Sequence, residues 1–128
     1  MFNFNPRSTY LLQTFKPINM SQKMLVTNYS FNVTPDEFEA MALELAPAFS
    51  NVPGCTWKIW LIDRENKQAG AVYLFESEKA LEDFKASPLV ASVLSHPALS
   101  DFDLKARDIL EGPSLTNNAP VQQKAVAV

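Results

Sequence analysis

The pattern of apolar and polar positions predicts four β-strands between Met24 and Leu110. Stretches of about eight residues in which apolar and polar side chains alternate are typical of strands, because successive side chains point to opposite faces of a sheet. The predicted strands are Met24–Phe31, Cys55–Asp63, Ala69–Glu76 and Asp101–Arg107. A polar run at 64–68 joins the second strand to the third as a hairpin.

Two helical regions lie between these strands. Thr34 and Glu37 have the spacing of a capping box, with Pro35 between them in the first turn. The apolar positions that follow at helical spacing are Phe38, Met41, Ala42, Leu45 and Phe49. Pro47 is expected to kink or loosen the last turn. The second region begins at Ser77 and restarts at Ser87-Pro88, which predicts a broken helix.

The order strand, helix, strand, strand, helix, strand predicts one α+β domain. This βαββαβ order is the ferredoxin-like arrangement, with an antiparallel sheet and helices on one of its faces. We place the domain at residues 24–112. Residues 1–23 are predicted to be a poorly ordered extension, a transit segment, an arm on a partner, or sequence upstream of a start at Met20 or Met24. Residues 113–128 are predicted to be a flexible tail or a strap across a partner subunit.

The second strand has no plain solvent face. Its two faces carry Trp57, Ile59 and Leu61 on one side and Lys58, Trp60 and Ile62 on the other. One layer of helices covers only one face, so we expect the other face to pack on a second sheet in a homodimer. The sequence leaves open which face lines a pocket, because a shift of one residue exchanges them. Gly70 is interpreted as space beside Trp57 or for a ligand.

Charge and composition exclude several classes of function. The net charge is −3 and every acidic residue lies at or after Asp36, so the domain is expected to repel nucleic acid. No apolar run approaches the roughly 20 residues of a membrane span. Cys55 is the only cysteine and has no ligand neighbour at metal-site spacing, which favours a cytoplasmic protein without a metal. No phosphate loop or nucleophile motif occurs.

Two segments carry a resemblance to a known family. Residues 53–60, Pro-Gly-Cys-Thr-Trp-Lys-Ile-Trp, and 69–75, Ala-Gly-Ala-Val-Tyr-Leu-Phe, resemble the core of the YdhR-like monooxygenases. The resemblance extends from the first strand to about Pro113. It implies a dimeric α+β barrel with back-to-back sheets and a small apolar pocket in each subunit. The wider group includes cofactor-free monooxygenases that act on quinols and aromatic polyketides.

The candidate site is an apolar pocket between the sheet and the helices. Trp57 and Tyr73 are predicted as its walls, and Tyr73 as a donor to a phenolate. Asn28 is predicted to orient a substrate oxygen. His96, the only histidine, is the first candidate base, with an exposed residue at a helix end as the alternative.

Two further residues are predicted to contact the substrate. Lys58 is either a pocket cation or a cation–π or interface charge, and Trp60 is either a pocket wall or a dimer contact. The function expected from these residues is that of a cofactor-independent monooxygenase on a small aromatic or quinol-type molecule, with dioxygen as co-substrate. An isomerase or cyclase, or a non-catalytic ligand-binding or stress-associated dimer, is the alternative.

Overall fold

A computed structural model describes residues 21–121. Residues 1–20 of the predicted extension and 122–128 of the predicted tail lie outside the described residues. The elements are β1 (Lys23–Phe31), α1 (Pro35–Ser50), β2 (Cys55–Asp63), β3 (Gln68–Phe75), α2 (Glu78–Lys85), α3 (Pro88–Leu94), β4 (Leu99–Asp108) and α4 (Glu111–Thr116). None of the helices in this part of the chain is long and apolar enough to cross a membrane.

The strands form one sheet in the order β2-β3-β1-β4, and every neighbouring pair is antiparallel. This order confirms the ferredoxin-like α+β fold. Helices α1, α2 and α3 supply buried side chains to one face of the sheet. We call this the covered face and the opposite one the open face. Strand β4 lies at an edge, as its alternating charged residues predict.

The helix boundaries follow from local chemistry. The Thr34 hydroxyl accepts a hydrogen bond from the Glu37 N–H at 3.1 Å, and the Glu37 carboxylate accepts one from the Thr34 N–H at 2.9 Å, which confirms the capping box. Ser77 and Ser87 cap α2 and α3 separately, which confirms the broken helix. Helix α1 continues through Pro47 to Ser50.

The core lies between the covered face and the three helices. Leu25 and Phe75 of the sheet and Leu81 of α2 are at most 1% exposed. Aromatic rings from α1, α2 and β3 meet beside them, with the Phe84 ring centroid 5.2 Å from that of Tyr73 and 6.2 Å from that of Phe49. Rings in this range pack favourably. The covered face therefore has a largely aromatic core.

A bulge near the start of β2 decides which way its side chains point. Cys55 pairs with Phe75 and Trp57 pairs with Leu74, so two residues of β2 advance against one of β3. Beyond the bulge Lys58 lies opposite Tyr73, which is buried under the helices. Side chains of directly opposite residues share a face. Lys58 and Trp60 therefore lie on the covered face, and Trp57 lies on the open face.

Gly70 does not provide space for a ligand, and that interpretation was wrong. A Cβ atom at this position would lie 2.0 Å from the backbone oxygen of Thr27 on β1. The missing side chain therefore permits the backbones of β1 and β3 to approach each other.

The described part of the predicted tail includes a short helix. Gly112 and Pro113 fall in the first turn of α4, where backbone N–H groups have no intrahelical partner, so a proline is tolerated there. After the helix, the Pro120 carbonyl accepts a hydrogen bond from the Trp57 indole N–H at 2.8 Å. This segment thus contacts the open face of its own subunit.

Candidate active site

A small apolar cavity lies between the covered face and the helices. Its volume is about 40 Å³. The lining residues are Thr27, Tyr29, Phe49, Tyr73, Phe84, Val90, Val93, Leu94, Phe102 and Leu104. Only the two tyrosines and the threonine in this set carry polar side-chain groups. Leu94, which is 47% exposed, marks the solvent side of the cavity.

The two tyrosine side chains are held by packing on neighbouring strands. Tyr29 of β1 is 8% exposed and Tyr73 of β3 is 6% exposed. The Tyr29 ring lies 5.4 Å from the Phe102 ring, and the Tyr73 ring contacts Phe84. Alternate residues of β1 and β3 point to the same face, which is why both tyrosines reach this cavity.

The phenol groups of these tyrosines are available as hydrogen-bond donors. Among the described residues neither hydroxyl has a hydrogen-bond partner, and neither oxygen is sealed from solvent. Burial raises the pKa of Tyr29 to about 12, and it raises the pKa of Tyr73 even further. Both side chains are therefore neutral at physiological pH. A neutral phenol in an apolar site can donate a hydrogen bond to an anion.

The Lys58 amine lies in an aromatic cage on the same face. Its Nζ atom is 3.2 Å from the ring centroid of Phe49, 3.5 Å from that of Trp60 and 4.7 Å from that of Tyr73. Burial lowers the pKa of Lys58 to about 7, against a weaker opposing effect of the Cys55 thiol. Phe49 and Tyr73 are shared by the cage and the cavity, although Lys58 itself is not among the residues that line the cavity.

Three of the six candidate residues come together in this region. Tyr73, Lys58 and Trp60 share the covered face, and the Trp60 ring packs edge-on against Phe49 with 5.4 Å between their centroids. The sequence did not decide which side chains of β2 point toward the helices. Because of the bulge, Lys58 and Trp60 do so. Trp60 is therefore a wall of the lysine cage.

The other three candidates lie elsewhere, so the predicted grouping of Trp57 and Asn28 with Tyr73 was wrong. Trp57 is on the open face, and exposed Asn28 donates a hydrogen bond from Nδ2 to Gln68 Oε1 at 3.2 Å. His96 follows α3, where its Nδ1 accepts a hydrogen bond from the Ala98 N–H at 3.1 Å. It is not among the residues that line the cavity.

Comparison with known proteins agrees with this architecture. Residues 24–120 match the family model described as putative mono-oxygenase ydhR. The chain belongs to this family. No curated protein sequence matches the chain.

Solved structures show the fold of this ydhR-family chain in other proteins. One of them is SnoaB of Streptomyces nogalater, a cofactor-independent oxygenase that was solved as an asparagine-to-alanine mutant. It is 19% identical to this chain, with a TM-score of 0.59, and the match covers 71% of this chain and 95% of SnoaB. A putative antibiotic biosynthesis monooxygenase of Caulobacter crescentus has 20% identity and a TM-score of 0.57 over 73% and 94%. The heme-degrader MhuD of Mycobacterium tuberculosis has 18% identity and a TM-score of 0.56 over 69% and 95%.

Sequence reasoning missed Tyr29 and Phe49 as parts of this site. Phe49 was predicted only as an apolar position of the first helix, and Tyr29 lies in the first predicted strand. The sequence shows that Tyr29 shares a strand face with Leu25, but only the register of the sheet, in which Leu25 pairs with Tyr73, places that face in the site. No comparable signal marks Phe49, because its contact with Lys58 depends on how α1 lies across the sheet.

A larger cleft of about 620 Å³ lies outside this site, between the end of α1 and helices α2 and α3. Its charged lining residues are Glu76, Lys79 and Asp83, and Lys79 pairs with Asp83 at 2.8 Å on the exposed surface of α2. The cleft is therefore a wet surface feature and does not provide the dry setting of the smaller cavity. Phe84 lines both spaces.

No group of three or more His, Cys, Asp or Glu side chains within residues 21–121 is arranged to hold a metal ion.

Proposed function

We propose that this ydhR-family chain is a cofactor-independent monooxygenase that acts on a small aromatic or quinol-type molecule in the cavity of the covered face. The observation that carries the proposal is the pair of neutral phenols of Tyr29 and Tyr73, which have no hydrogen-bond partner within residues 21–121, in an apolar, aromatic lining. Membership of a mono-oxygenase family supports the type of reaction. Aromatic walls with a few polar groups suit a flat organic substrate.

In the proposed reaction, the tyrosines stabilise the anion of the substrate. A quinol-type substrate loses a hydroxyl proton, and the Tyr29 and Tyr73 hydroxyls donate hydrogen bonds to the resulting oxyanion. The dry lining strengthens these hydrogen bonds. The electron-rich anion passes an electron to dioxygen, and one oxygen atom enters the substrate. When a ring C–H of a quinol becomes C–OH and the product leaves as the hydroxyquinone, the second oxygen atom leaves as water, so the substrate itself supplies all the electrons.

The size of the cavity sets a condition on this proposal. A cavity of about 150 Å³ holds benzene, whereas this one measures about 40 Å³. A wall therefore has to move when the substrate enters. We assign this movement to α3, a seven-residue helix that follows the break at Ser87-Pro88 and carries the half-exposed Leu94. Short helices with separate caps move more readily than continuous ones.

We also propose that two copies of the chain pack through their open faces. Val26, Ile59 and Leu61 are 41%, 49% and 48% exposed on that face, although each is a large apolar side chain. Neighbouring exposed apolar groups on a sheet are typical of an association surface. We place the protein in the cytoplasm, because its one cysteine, Cys55, is free.

Oxygen uptake with a panel of quinols tests the proposed activity. We expect Tyr73→Phe and Tyr29→Phe each to lower kcat by about tenfold or more, because each removes one oxyanion donor. Their rings keep the packing, so the Tm should change by only a few degrees. Asn28→Ala on the open face is the matched control and should retain wild-type turnover.

Two outcomes would contradict the proposal. The first is full turnover in the double variant Y29F/Y73F. The second is that no quinol causes oxygen uptake although one of them binds to the protein, equally tightly with and without oxygen. That result would favour the non-catalytic binding dimer.

A further inference from the structure

The amine of Lys58 has surroundings unlike those of a surface lysine. Lys79 forms an ion pair with Asp83 at 2.8 Å on exposed helix surface. Lys58 is half-buried, and among the described residues its Nζ has no carboxylate or hydrogen-bond partner. Instead, three aromatic rings lie within 4.7 Å of it. The cage thus replaces water around the amine without adding a negative charge.

In the part of the chain that the structure describes, the titratable groups beside the Lys58 amine are neutral at pH 7. The titratable groups that face it are the Cys55 thiol of its own strand and the Tyr73 phenol of β3, and burial raises the pKa of both. Helix α1 contributes Phe49, which carries no charge. The faces of the rings attract an ammonium and offset part of its lost hydration. With no carboxylate in the cage, the neutral amine is nevertheless well populated near pH 7.

We propose that Lys58 is a nucleophilic amine that forms an imine with small aldehydes or ketones that enter the aromatic cage. The amine lone pair adds to the carbonyl carbon and gives a carbinolamine. The carbinolamine then loses water and leaves a C=N bond on Nζ. The step is a condensation, so it needs no oxidant, reductant or metal.

The cage suits this chemistry at each stage. A free amine is needed for the addition, and an apolar setting provides it at neutral pH. A dry cage also favours the loss of water, and the ring faces can hold the protonated imine as they hold the ammonium. The inference is independent of the proposed oxygenase activity, because it requires neither dioxygen nor the tyrosine hydroxyls.

Reductive methylation of the full-length protein tests the proposal. Limiting formaldehyde with cyanoborohydride converts each imine to a stable methylamine, and peptide mass spectrometry gives the rate at each lysine. At pH 7 we expect Lys58 to react at least about tenfold faster than Lys79, since an ordinary lysine has a pKa near 10.4 and holds little free amine at that pH. The Lys58 rate should level off by about pH 8.

Two tryptophan variants separate the cage from general accessibility. Trp60→Leu opens the cage to water and should move the inflection of the Lys58 rate profile to higher pH. Trp57→Leu, on the open face of the same strand, should leave the profile unchanged. Equal rates for Lys58 and Lys79 at pH 7, or a Lys58 profile that Trp60→Leu does not move, would overturn the proposal.

Discussion

The two faces of the sheet consist of alternate residues of the same strands, yet they differ in nearly every physical respect. On the covered face, Leu25 and Phe75 are fully buried. On the open face, Val26 and Ile59, each next to a covered-face residue in sequence, are more than 40% exposed. Both faces carry large apolar side chains. What separates them is the layer of helices.

This difference indicates where each kind of function belongs. The covered face is largely shielded from water, and burial there shifts the pKa values of the Tyr29 and Tyr73 hydroxyls and of the Lys58 amine. The open face is accessible and broad, so its apolar side chains are suited to another protein surface. Chemistry is therefore proposed on one face and association on the other.

The largest expected effect tests whether the covered face is the structural core. Phe84→Ala removes a ring that packs on Phe49, Tyr73 and Phe75, and it should lower the free energy of unfolding by about 3–5 kcal/mol. Leu94→Ala, at the exposed rim of the same cavity, should cost less than about 1 kcal/mol. Urea unfolding gives both values. Similar losses in the two variants would mean that the rim is as tightly packed as the interior.

A charge on the open face tests the proposed association. Ile59→Arg would bury an unpaired charge in the dimer and should weaken it by about 2 kcal/mol, or roughly 30-fold in Kd. Sedimentation equilibrium gives this constant. Leu43→Arg, at another exposed apolar position on α1, is the control and should leave the dimer intact. A wild-type protein that stays monomeric at micromolar concentration would refute the association.

The smallest expected effect is a change of protein stability with pH that depends on Lys58 of the covered face. The pKa of Lys58 is about 7 in the native state, whereas an unfolded lysine has a pKa near 10.4. Between these two pH values the native state binds fewer protons than the unfolded state. The stability of the wild type therefore rises with pH over that interval. Lys58→Met keeps the cage filled without a charge. The stability of this variant relative to wild type should be greatest at pH 6 and should fall steadily toward pH 9, because only the wild type gains stability over that range. A difference from wild type that stays constant with pH would show that Lys58 does not titrate in this range.

Much of the fold could be predicted because its signals are local. The capping box of Thr34 and Glu37, the two capping serines and the strand alternation each depend on a few neighbouring residues. The membership of Tyr73 in the candidate site was also predicted. Trp57 was predicted as a pocket wall while the inward face of its strand was left undecided, and the bulge near Cys55, which the sequence does not reveal, turns Lys58 and Trp60 inward instead.

The element order, the ferredoxin-like fold and the presence of aromatic and lysine side chains on the second strand follow from the amino-acid sequence alone. Periodicity and capping act over a few residues, so they can be read from the chain alone. Only the tertiary structure decided that Lys58 lies among Phe49, Trp60 and Tyr73, which come from three separate elements. Burial, and with it the acid–base behaviour of the amine and the phenols, depends on groups distant in sequence, because water is excluded only once the helices cover the sheet.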